Sequence, residues 1–306
     1  MIGFFCNILL LYYYGDRKVI IADASRWALD KHHRVKILQL SDAFFCQDGA
    51  DILLATTANA AAGRIFERYG ASQIPQPLYD QILYWILNGS GFVSAALRTK
   101  KLSAATSNFI SGKLEPIIKL GLAANRRKFP YSTRKVDLIN VNQIGDEFDE
   151  LWRKKMVEAK KLLACRSAAY LRWHFSEPLG SSDVKILIAR ETRLRGYLAL
   201  MRDDRQNIGL KRMRIADLFV ENDEAPVVES LLAAAHEYSS QQGCHVLEWM
   251  GMPANLRDIA LRYRPFKRLL PTWPLFFKTI NPSLEKVLSN EKSWYVTPYD
   301  GDTTLF

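Results

Sequence analysis

Residues 214–266 have the sequence RIADLFVENDEAPVVESLLAAAHEYSSQQGCHVLEWMGMPANLRDIALRYRPF, and this stretch decides the predicted fold. It begins with a short apolar run that has β-branched residues at both ends, which predicts a strand. The next segment carries apolar residues at three- and four-residue spacing, which predicts a helix with one apolar face, and Gly243 ends that helix. The predicted elements are a strand at 215–220, a helix at 225–242, a strand at 245–249 and a helix at 255–263.

A weaker copy of this order lies upstream. Its predicted elements are a strand at 19–23, a helix at 34–47, a strand at 51–55 and a helix at 59–69. Such a repeat fixes the architecture, because each copy is expected to form the same structural unit. Asp23 and Asp217 occupy matching places on the two central strands.

The composition is that of a globular protein long enough for two domains. The chain has 306 residues, of which 48% are hydrophobic and 24% are charged, and disordered chains are less apolar than this. The four cysteines lie far apart in apolar contexts, which indicates reduced thiols in a cytoplasmic protein. Neither the cysteines nor the five histidines have the spacing of a metal site.

The chain starts with an almost wholly apolar segment, residues 2–14. It lacks a basic region and a clear cleavage site, so it does not resemble a signal peptide, and it is too short to span a bilayer. We expect a buried strand that forms a hairpin with residues 18–29. A chain that begins in a core strand indicates either an N-terminally truncated form or an edge that another element covers, such as a partner chain or second copy.

Most of the net charge of +10 lies in residues 98–135, which contain ten Lys or Arg and one acid, Glu115. We expect a solvated helical connector here. The alternative roles of such a segment are contact with an anionic membrane surface or with a polyanionic substrate. Nucleic acid fits less well, since no aromatic residues are interleaved with the charges for stacking.

In the second half, the predicted elements follow the order strand, helix, helix, three strands, helix, strand, helix, strand. This order resembles the GNAT (GCN5-related N-acetyltransferase) superfamily, and in particular its two-lobed members that occur beside bacterial polysaccharide genes. The residues that carry the resemblance are FDELW at 148–152, YLRW at 170–173, ILIAR at 186–190, LRGY at 194–197 and ADL at 216–218, with AN at 58–59 and IFERYGA at 65–71 in the first half.

The resemblance implies an α/β (α+β) acyl-CoA N-acyltransferase fold, with two lobes of mixed, mostly antiparallel sheets flanked by helices. Within the first lobe, residues 79–87 are the candidate for its last strand. The tail carries an acidic turn, DGD at 300–302, with too few acids for a cation site. The expected divisions are a partial N-terminal lobe at 1–91, a basic helical linker at 92–133, a complete C-terminal lobe at 134–281 and a tail at 282–306.

The resemblance also implies transfer of an acyl group from acetyl-CoA or another acyl-CoA to an amine of a small molecule or cell-envelope precursor. In the family, the pantetheine chain lies between the splayed fourth and fifth strands. The pyrophosphate binds backbone N–H groups where the next helix starts. Two alternatives stay open: a catalytically inactive binding or scaffold protein, and a Fem-like transferase that uses aminoacyl-tRNA, which the basic linker would suit.

Neither copy keeps the glycine-rich phosphate loop of the family. The first copy has RVKI at 34–37, with isoleucine at a glycine position, but its two cations can pair with phosphate. The second copy has acids at 221–224, which would repel pyrophosphate. We therefore expect the donor in the first lobe. The expected donor contacts are Arg34, Val35, Lys36 and Asn59, the last of which is also a candidate helix N-cap.

Direct acyl transfer needs a base for the amine and an acid for the leaving thiolate. The family's acid is a tyrosine on the helix after the fifth strand. Phe66 stands at that position here, and Tyr69 is close but on a different face. Asp23 and Asp217 are candidate bases that act through water. Glu248 lies on an otherwise apolar strand, so it needs a partner if it is buried, and it is a candidate for contact with the substrate.

Overall fold

The computed structural model describes residues 2–125, 134–158, 160–176, 183–270 and 275–305. The strands are β1 (Gly3–Tyr14), β2 (Arg17–Leu29), β3 (Ile52–Ala55), β4 (Ser72–Gln73), β5 (Gln81–Ile86), β6 (Val136–Asn140), β7 (Leu162–Ala164), β8 (Val184–Arg190), β9 (Leu194–Arg202), β10 (Arg212–Val220), β11 (Val246–Trp249), β12 (Phe266–Leu269) and β13 (Phe276–Thr279). The helices are α1 (Ile37–Phe45), α2 (Ala60–Arg68), α3 (Gly89–Thr99), α4 (Ala104–Asn125), α5 (Glu147–Glu158), α6 (Ala168–Ser176), α7 (Ala225–Gln241), α8 (Ala254–Leu261) and α9 (Pro282–Leu288).

The first sheet has the strand order β4-β13-β3-β2-β1-β7. Its centre is the long hairpin of β1 and β2, which turns at Gly15 in the left-handed conformation that glycine tolerates. The apolar run of residues 2–14 therefore forms a strand, and the predicted hairpin is confirmed, but the expected burial is wrong for most of the run, because only Leu10 and Tyr12 of β1 are buried. On its other edge, β2 pairs in parallel with β3 from Ile21 to Asp23. All three of these β2 residues are fully buried.

The second sheet has the strand order β12-β5-β11-β10-β9-β8-β6. Strands β8, β9 and β10 are antiparallel neighbours, whereas β10 runs parallel to β11. The predicted amphipathic helix is α7, and its apolar face at Val228, Leu231 and Leu232 is fully buried against this sheet. The repeated strand–helix–strand pattern thus forms the centre of each sheet.

Each half of the chain contributes to the other half's sheet. Strand β5, from the first half, lies between β11 and β12 in the second sheet. Strand β13, from the second half, lies between β3 and β4 in the first sheet, where β7 also pairs with the end of β1. The expectation that residues 79–87 complete the first lobe is therefore wrong. An apolar run shows that a strand is buried, but it does not show which sheet the strand joins.

The first-lobe helix differs from the prediction, whereas the linker is helical as expected. The helix expected at 34–47 begins later, because a 3-10 turn spans Lys31–Lys36 and α1 starts at Ile37. Helices α3 and α4 form most of the expected basic linker, and its residues 126–133 lie outside the described ranges. Within those ranges, no helix combines the length and the apolar character that crossing a bilayer requires.

The exchanged strand β13 supplies a direct test of this topology. Phe276 is fully buried and lies with its ring 5.8 Å from that of Phe66. We expect Phe276→Ala to lower the free energy of unfolding by about 3–5 kcal/mol, because truncation leaves a cavity in the first sheet's core. Ile280→Ala, just past the strand and half exposed, should change it little.

The measurement is urea unfolding followed by both tryptophan fluorescence and far-UV circular dichroism. Because strand exchange joins the two sheets, a single transition should shift as a whole in both signals. Two separate transitions, of which only one moves in Phe276→Ala, would contradict the exchanged topology.

Candidate active site

The C-terminal tail, residues 294–305, contacts both sheets, and all of it except Thr303 is buried. Trp294 forms a β-bridge with Leu162 of β7 in the first sheet. The Tyr295 hydroxyl donates to the carbonyl of Leu218 on β10, in the second sheet, at 2.8 Å. These contacts carry the acidic turn at 300–302 into the centre of the molecule.

Arg166 is the fully buried cation that joins the tail to the second sheet. Its Nε donates to Oδ2 of Asp217 at 2.9 Å, and its Nη2 donates to Oδ2 of Asp300 at 3.0 Å and to Oγ1 of Thr297 at 3.1 Å. The Tyr197 hydroxyl donates to the same Oδ2 of Asp217 at 2.6 Å. Burial lowers the pKa of Arg166, but the carboxylates of Asp217 and Asp300 outweigh it, so the guanidinium stays charged.

Three acids meet at the turn of the tail, and we call Asp23, Asp300 and Asp302 the acid centre. Asp23 is fully buried on β2. Within the described residues, neither of its oxygens has a hydrogen bond of normal geometry, although the backbone N–H of Asp302 faces it. Asp302 accepts hydrogen bonds from the hydroxyls of Thr56 at 3.0 Å and Thr57 at 3.2 Å.

Burial raises the pKa of all three acids. For Asp23 the pKa lies well above its ordinary value, because the charges of Asp302 and Asp300 add to the effect of burial. For Asp300 and Asp302, burial is also the largest cause of the raised pKa. The Arg166 charge lowers the pKa of Asp300, and the hydrogen bond from Thr56 lowers the pKa of Asp302. The acid centre therefore keeps protons to higher pH than ordinary carboxyls do, and its carboxylates are stronger bases.

Two buried phenols, Tyr12 and Tyr79, lie beside the acid centre. In the described part of the chain, neither hydroxyl has a hydrogen-bond partner. Burial, followed by the charge of Asp300, raises the pKa of both phenols, so both stay protonated. Each therefore offers an O–H donor that is free to bind an oxygen entering the centre.

In both sheets, the pairing of the two parallel strands ends before the longer strand does, and we call the two unpaired edges the first and second openings. Strand β10 pairs with β11 only up to Ile215, because β11 ends at Trp249. Beyond that point, the Tyr295 hydroxyl donates to the carbonyl of Leu218, and Nζ of Lys155 donates to the carbonyl of Val220 at 2.7 Å. The protein's own groups thus already bond two carbonyls in the second opening.

In the first sheet, the pairing of β2 with β3 ends at Asp23, and the part of β2 beyond it carries polar side chains. Trp27 Nε1 is buried without a hydrogen bond among the described residues. Ser25 lies on the same face of the strand as Asp23 and faces the Asp302 carboxyl. This opening therefore offers binding groups next to the acid centre.

The acids at 221–224 in the second lobe are neutralised within the protein. Both Glu221 oxygens accept from Arg193, which lowers the pKa of Glu221. The Asn222 N–H donates to Glu158 at 2.6 Å. A carboxylate of the protein itself therefore occupies an N–H of the turn that precedes α7, while no side chain caps α7.

The corresponding segment of the first lobe is exposed and basic. Arg34, Val35 and Lys36 lie on the 3-10 turn that precedes α1, which Asp30 caps by accepting from the His32 N–H at 2.8 Å. Within the described structure, neither Arg34 nor Lys36 forms an ion pair, so both cations are available to a phosphate group. Their contact with the donor stays a prediction.

Asn59 and Tyr69 have local structural partners. Asn59 is the N-cap of α2, and its Oδ1 accepts from the N–H groups of Ala61 and Ala62, both at 3.0 Å. The Tyr69 hydroxyl donates to Asp42 on α1, and this hydrogen bond raises the pKa of Tyr69. The expected donor contact of Asn59 and the expected acid role of Tyr69 stay predictions.

Glu248 lies in the wall of a cavity of about 570 Å³ on the second sheet. It is buried on β11 and accepts from Arg212 at 3.1 Å and from Arg268 at 3.1 Å. The expectation that a buried Glu248 needs a partner is confirmed. Pro298 of the tail lines the same cavity, so the cavity reaches the segment that holds Asp300.

Three solved structures resemble this chain. The GCN5-related N-acetyltransferase from Kribbella flavida matches with a TM-score of 0.51 at 8% identity, over 91% of this chain and 57% of that one. Saccharomyces cerevisiae N-myristoyltransferase with bound myristoyl-CoA matches with a TM-score of 0.53 at 10% identity, over 90% and 66%. A probable N-acyltransferase from Enterococcus faecalis matches with a TM-score of 0.55 at 8% identity, over 92% and 59%.

The chain has the GNAT fold. The predicted resemblance and the predicted class, two mixed sheets flanked by helices, are therefore confirmed. This chain spans between 57% and 66% of the length of those three structures. The sequence matches no protein-family model and no curated protein.

Sequence reasoning placed both central aspartates but missed the partners of Asp217. Arg166 follows β7, Tyr197 lies on β9 and Thr297 lies in the tail, so no local spacing connects them. The signal that marks the two aspartates is the tripeptide Ile-Ala-Asp, which occurs at 21–23 and again at 215–217. The acidic turn at 300–302 is visible in the sequence, but its burial beside Asp23 follows only from the path of the tail.

The unpaired carboxyl of Asp23 predicts a stability that depends on pH. Its pKa is raised in the folded state, whereas an unfolded aspartate titrates near about 4. Between these two values the folded state holds a proton that the unfolded state releases, so stability falls as pH rises. We expect Asp23→Asn to raise the free energy of unfolding at pH 8 by more than about 1 kcal/mol, because it removes this loss.

Urea unfolding at a series of pH values checks this prediction. The gain from Asp23→Asn should grow as pH rises and vanish as pH falls toward about 4. Asp16→Asn, at an exposed acid in the β1–β2 turn, serves as the control and should show no such trend. A destabilised Asp23→Asn variant with the wild-type pH dependence would refute the assignment.

Proposed function

We propose that the protein is an N-acyltransferase that binds its acyl donor in the first lobe, between β2 and β3, and reacts at the acid centre. The contrast between the two openings carries this proposal. Tyr295 and Lys155 fill the second opening, whereas in the first opening the indole N–H of Trp27 has no hydrogen bond within the described residues, and Ser25 faces the Asp302 carboxyl beside the buried Asp23.

An acyl-CoA suits the first lobe, and acetyl-CoA is the simplest donor to propose. When bound, it supplies an activated thioester. The exposed cations Arg34 and Lys36 are placed to attract its phosphates, and the free edge of β2 beyond Asp23 is placed to bind its pantetheine chain. The bound myristoyl-CoA of the yeast N-myristoyltransferase supports an acyl-CoA donor in this fold.

The residues of the acid centre suit the proton transfers of such a reaction. The amine nitrogen must lose a proton as it bonds to the thioester carbon, and a carboxylate of raised pKa, such as Asp23, accepts that proton. The free hydroxyls of Tyr12 and Tyr79 can donate to the developing oxyanion. The proton held at Asp23 is then available to the leaving thiolate sulfur.

The acceptor in this proposal is an amine of a small molecule or of a bacterial cell-envelope precursor, and the location is cytoplasmic, where the four free cysteines stay reduced. We also propose that a partner chain covers the edge of β1, because Ile2, Phe4 and Leu9 are exposed there. A binding or scaffold protein remains the competing function, since the glycine-rich phosphate loop is missing.

Thermal unfolding with acetyl-CoA tests donor binding. We expect millimolar acetyl-CoA to raise Tm by at least about 2 °C, because a ligand that binds only the folded state stabilises it. Arg34→Ala with Lys36→Ala should remove most of this shift by removing two phosphate contacts. Lys286→Ala, an exposed cation on α9, is the matched control and should keep the full shift.

Transfer itself is measured by release of free CoA thiol in the presence of amines. Asp23→Asn should bind acetyl-CoA normally and lose transfer, since it keeps the shape of the centre without a base. Binding of acetyl-CoA without transfer to any amine would favour the scaffold protein. No shift in Tm, together with no effect of Arg34→Ala and Lys36→Ala, would exclude an acyl-CoA donor at this site.

A further inference from the structure

The cavity of about 570 Å³ on the second sheet, which we call the arginine cavity, has a size that suits a small-molecule ligand. Strands β5, β10, β11 and β12 form its floor, and α3 together with the loop at 205–210 forms its walls. Much of the lining is apolar, including Ile82, Phe92 and Leu270.

The charges of the arginine cavity do not cancel. Four guanidinium groups line it, those of Arg205, Arg212, Arg214 and Arg268, against the single lining carboxylate of Glu248. The neighbouring Asp203 pairs with Arg212 and lies 3.2 Å from Arg214.

Each of the two carboxylates is thus shared by two arginines. The Glu248 carboxylate forms ion pairs with Arg212 and Arg268, each with an N–O distance of 3.1 Å. Within the described residues, Arg205 forms no ion pair. Four cations with two carboxylates leave an excess of positive charge, and enclosure in a partly buried cavity strengthens its attraction for an anion.

The inner end of the arginine cavity approaches the acid centre along the tail and along Tyr79. Pro298 lines the cavity, and Asp300 follows it by two residues. Met250 also lines it, and the next residue, Gly251, packs its backbone against the Tyr79 ring. The charges of Asp300 and Asp23 raise the pKa of Tyr79 and that of Arg214 lowers it, so the phenol lies near both groups.

We propose that the arginine cavity binds the acyl acceptor, and that this acceptor is an amine whose molecule also carries a carboxylate or phosphate, held by Arg214, Arg268 and Arg205. This inference rests on the proposed function for the role of the amine. The anionic group binds the arginines, an apolar body covers the floor, and the amine extends toward the acid centre. The side chain of Arg268 is 40% exposed, so it can adjust to a ligand.

Calorimetric titration of the protein without donor tests the site directly. The probes are ω-aminooctanoate, ω-aminooctyl phosphate and octylamine, which share one apolar body and one amine. We expect at least one anionic probe to bind about tenfold or more tightly than octylamine, because a charge-assisted hydrogen bond to arginine is worth that much. The preference should weaken between about 50 mM and about 500 mM salt.

Arg268→Gln should reduce the affinity for the anionic probe about tenfold and leave that for octylamine unchanged. Lys267→Gln, one residue away on β12, exposed and outside the cavity, is the matched control and should bind as wild type. A preference for ω-aminooctyl phosphate over ω-aminooctanoate assigns a phosphate to the acceptor, and the reverse assigns a carboxylate.

Equal affinity of all three probes would overturn the anionic acceptor, even if octylamine is acylated. Weakened binding of desulfo-CoA to Arg268→Gln would also overturn it, because the arginines would then bind the donor. Selective binding of an anionic probe, with no acyl transfer from any donor, would instead reject the proposed function and leave the anion site in place.

Discussion

Arg166 is fully buried between Asp217 on β10 and Asp300 in the tail. Its guanidinium group donates hydrogen bonds of 2.9–3.0 Å to both carboxylates. Burying three charges together is costly, so this arrangement persists only because each charge meets a partner of good geometry. Loss of the cation alone would leave two uncompensated carboxylates, which typically costs about 3–5 kcal/mol in such a setting. The path of the last residues of the chain, and therefore the position of the acid centre, depends on this one guanidinium.

The C-terminal tail makes different contacts in the two similar lobes. In the second lobe, Tyr295 of the tail takes the Leu218 carbonyl and helps to fill the opening between β10 and β11. In the first lobe, the same tail passes beside Asp23. There the Asp302 carboxylate accepts a hydrogen bond from Thr56 and faces Ser25. One copy of the repeat thus serves as the structural half and the other keeps an opening. The strand exchange of β5 and β13 holds the two copies in fixed relation, since each sheet contains a strand from the other half.

The sequence predicts the parts of this structure that follow from local pattern. The hairpin of β1 and β2, the helix α7 and the matching positions of Asp23 and Asp217 all follow from apolar spacing and internal repetition. The exchanged strands do not, because β5 and β13 have apolar patterns that suit either sheet. The side-chain partners of Arg166 are also hidden, since they come from distant segments at 217, 297 and 300. Contacts of this kind depend on the path of the chain, and no periodic pattern in the sequence predicts them.

The central claim is that the first lobe binds the acyl donor and the second does not. Hydrogen exchange of backbone amides, with and without saturating desulfo-CoA, locates the donor directly. The account predicts slower exchange at residues 24–29 and 34–41, with no change at residues 216–226. Protection at 216–226 without protection in the first lobe would contradict it.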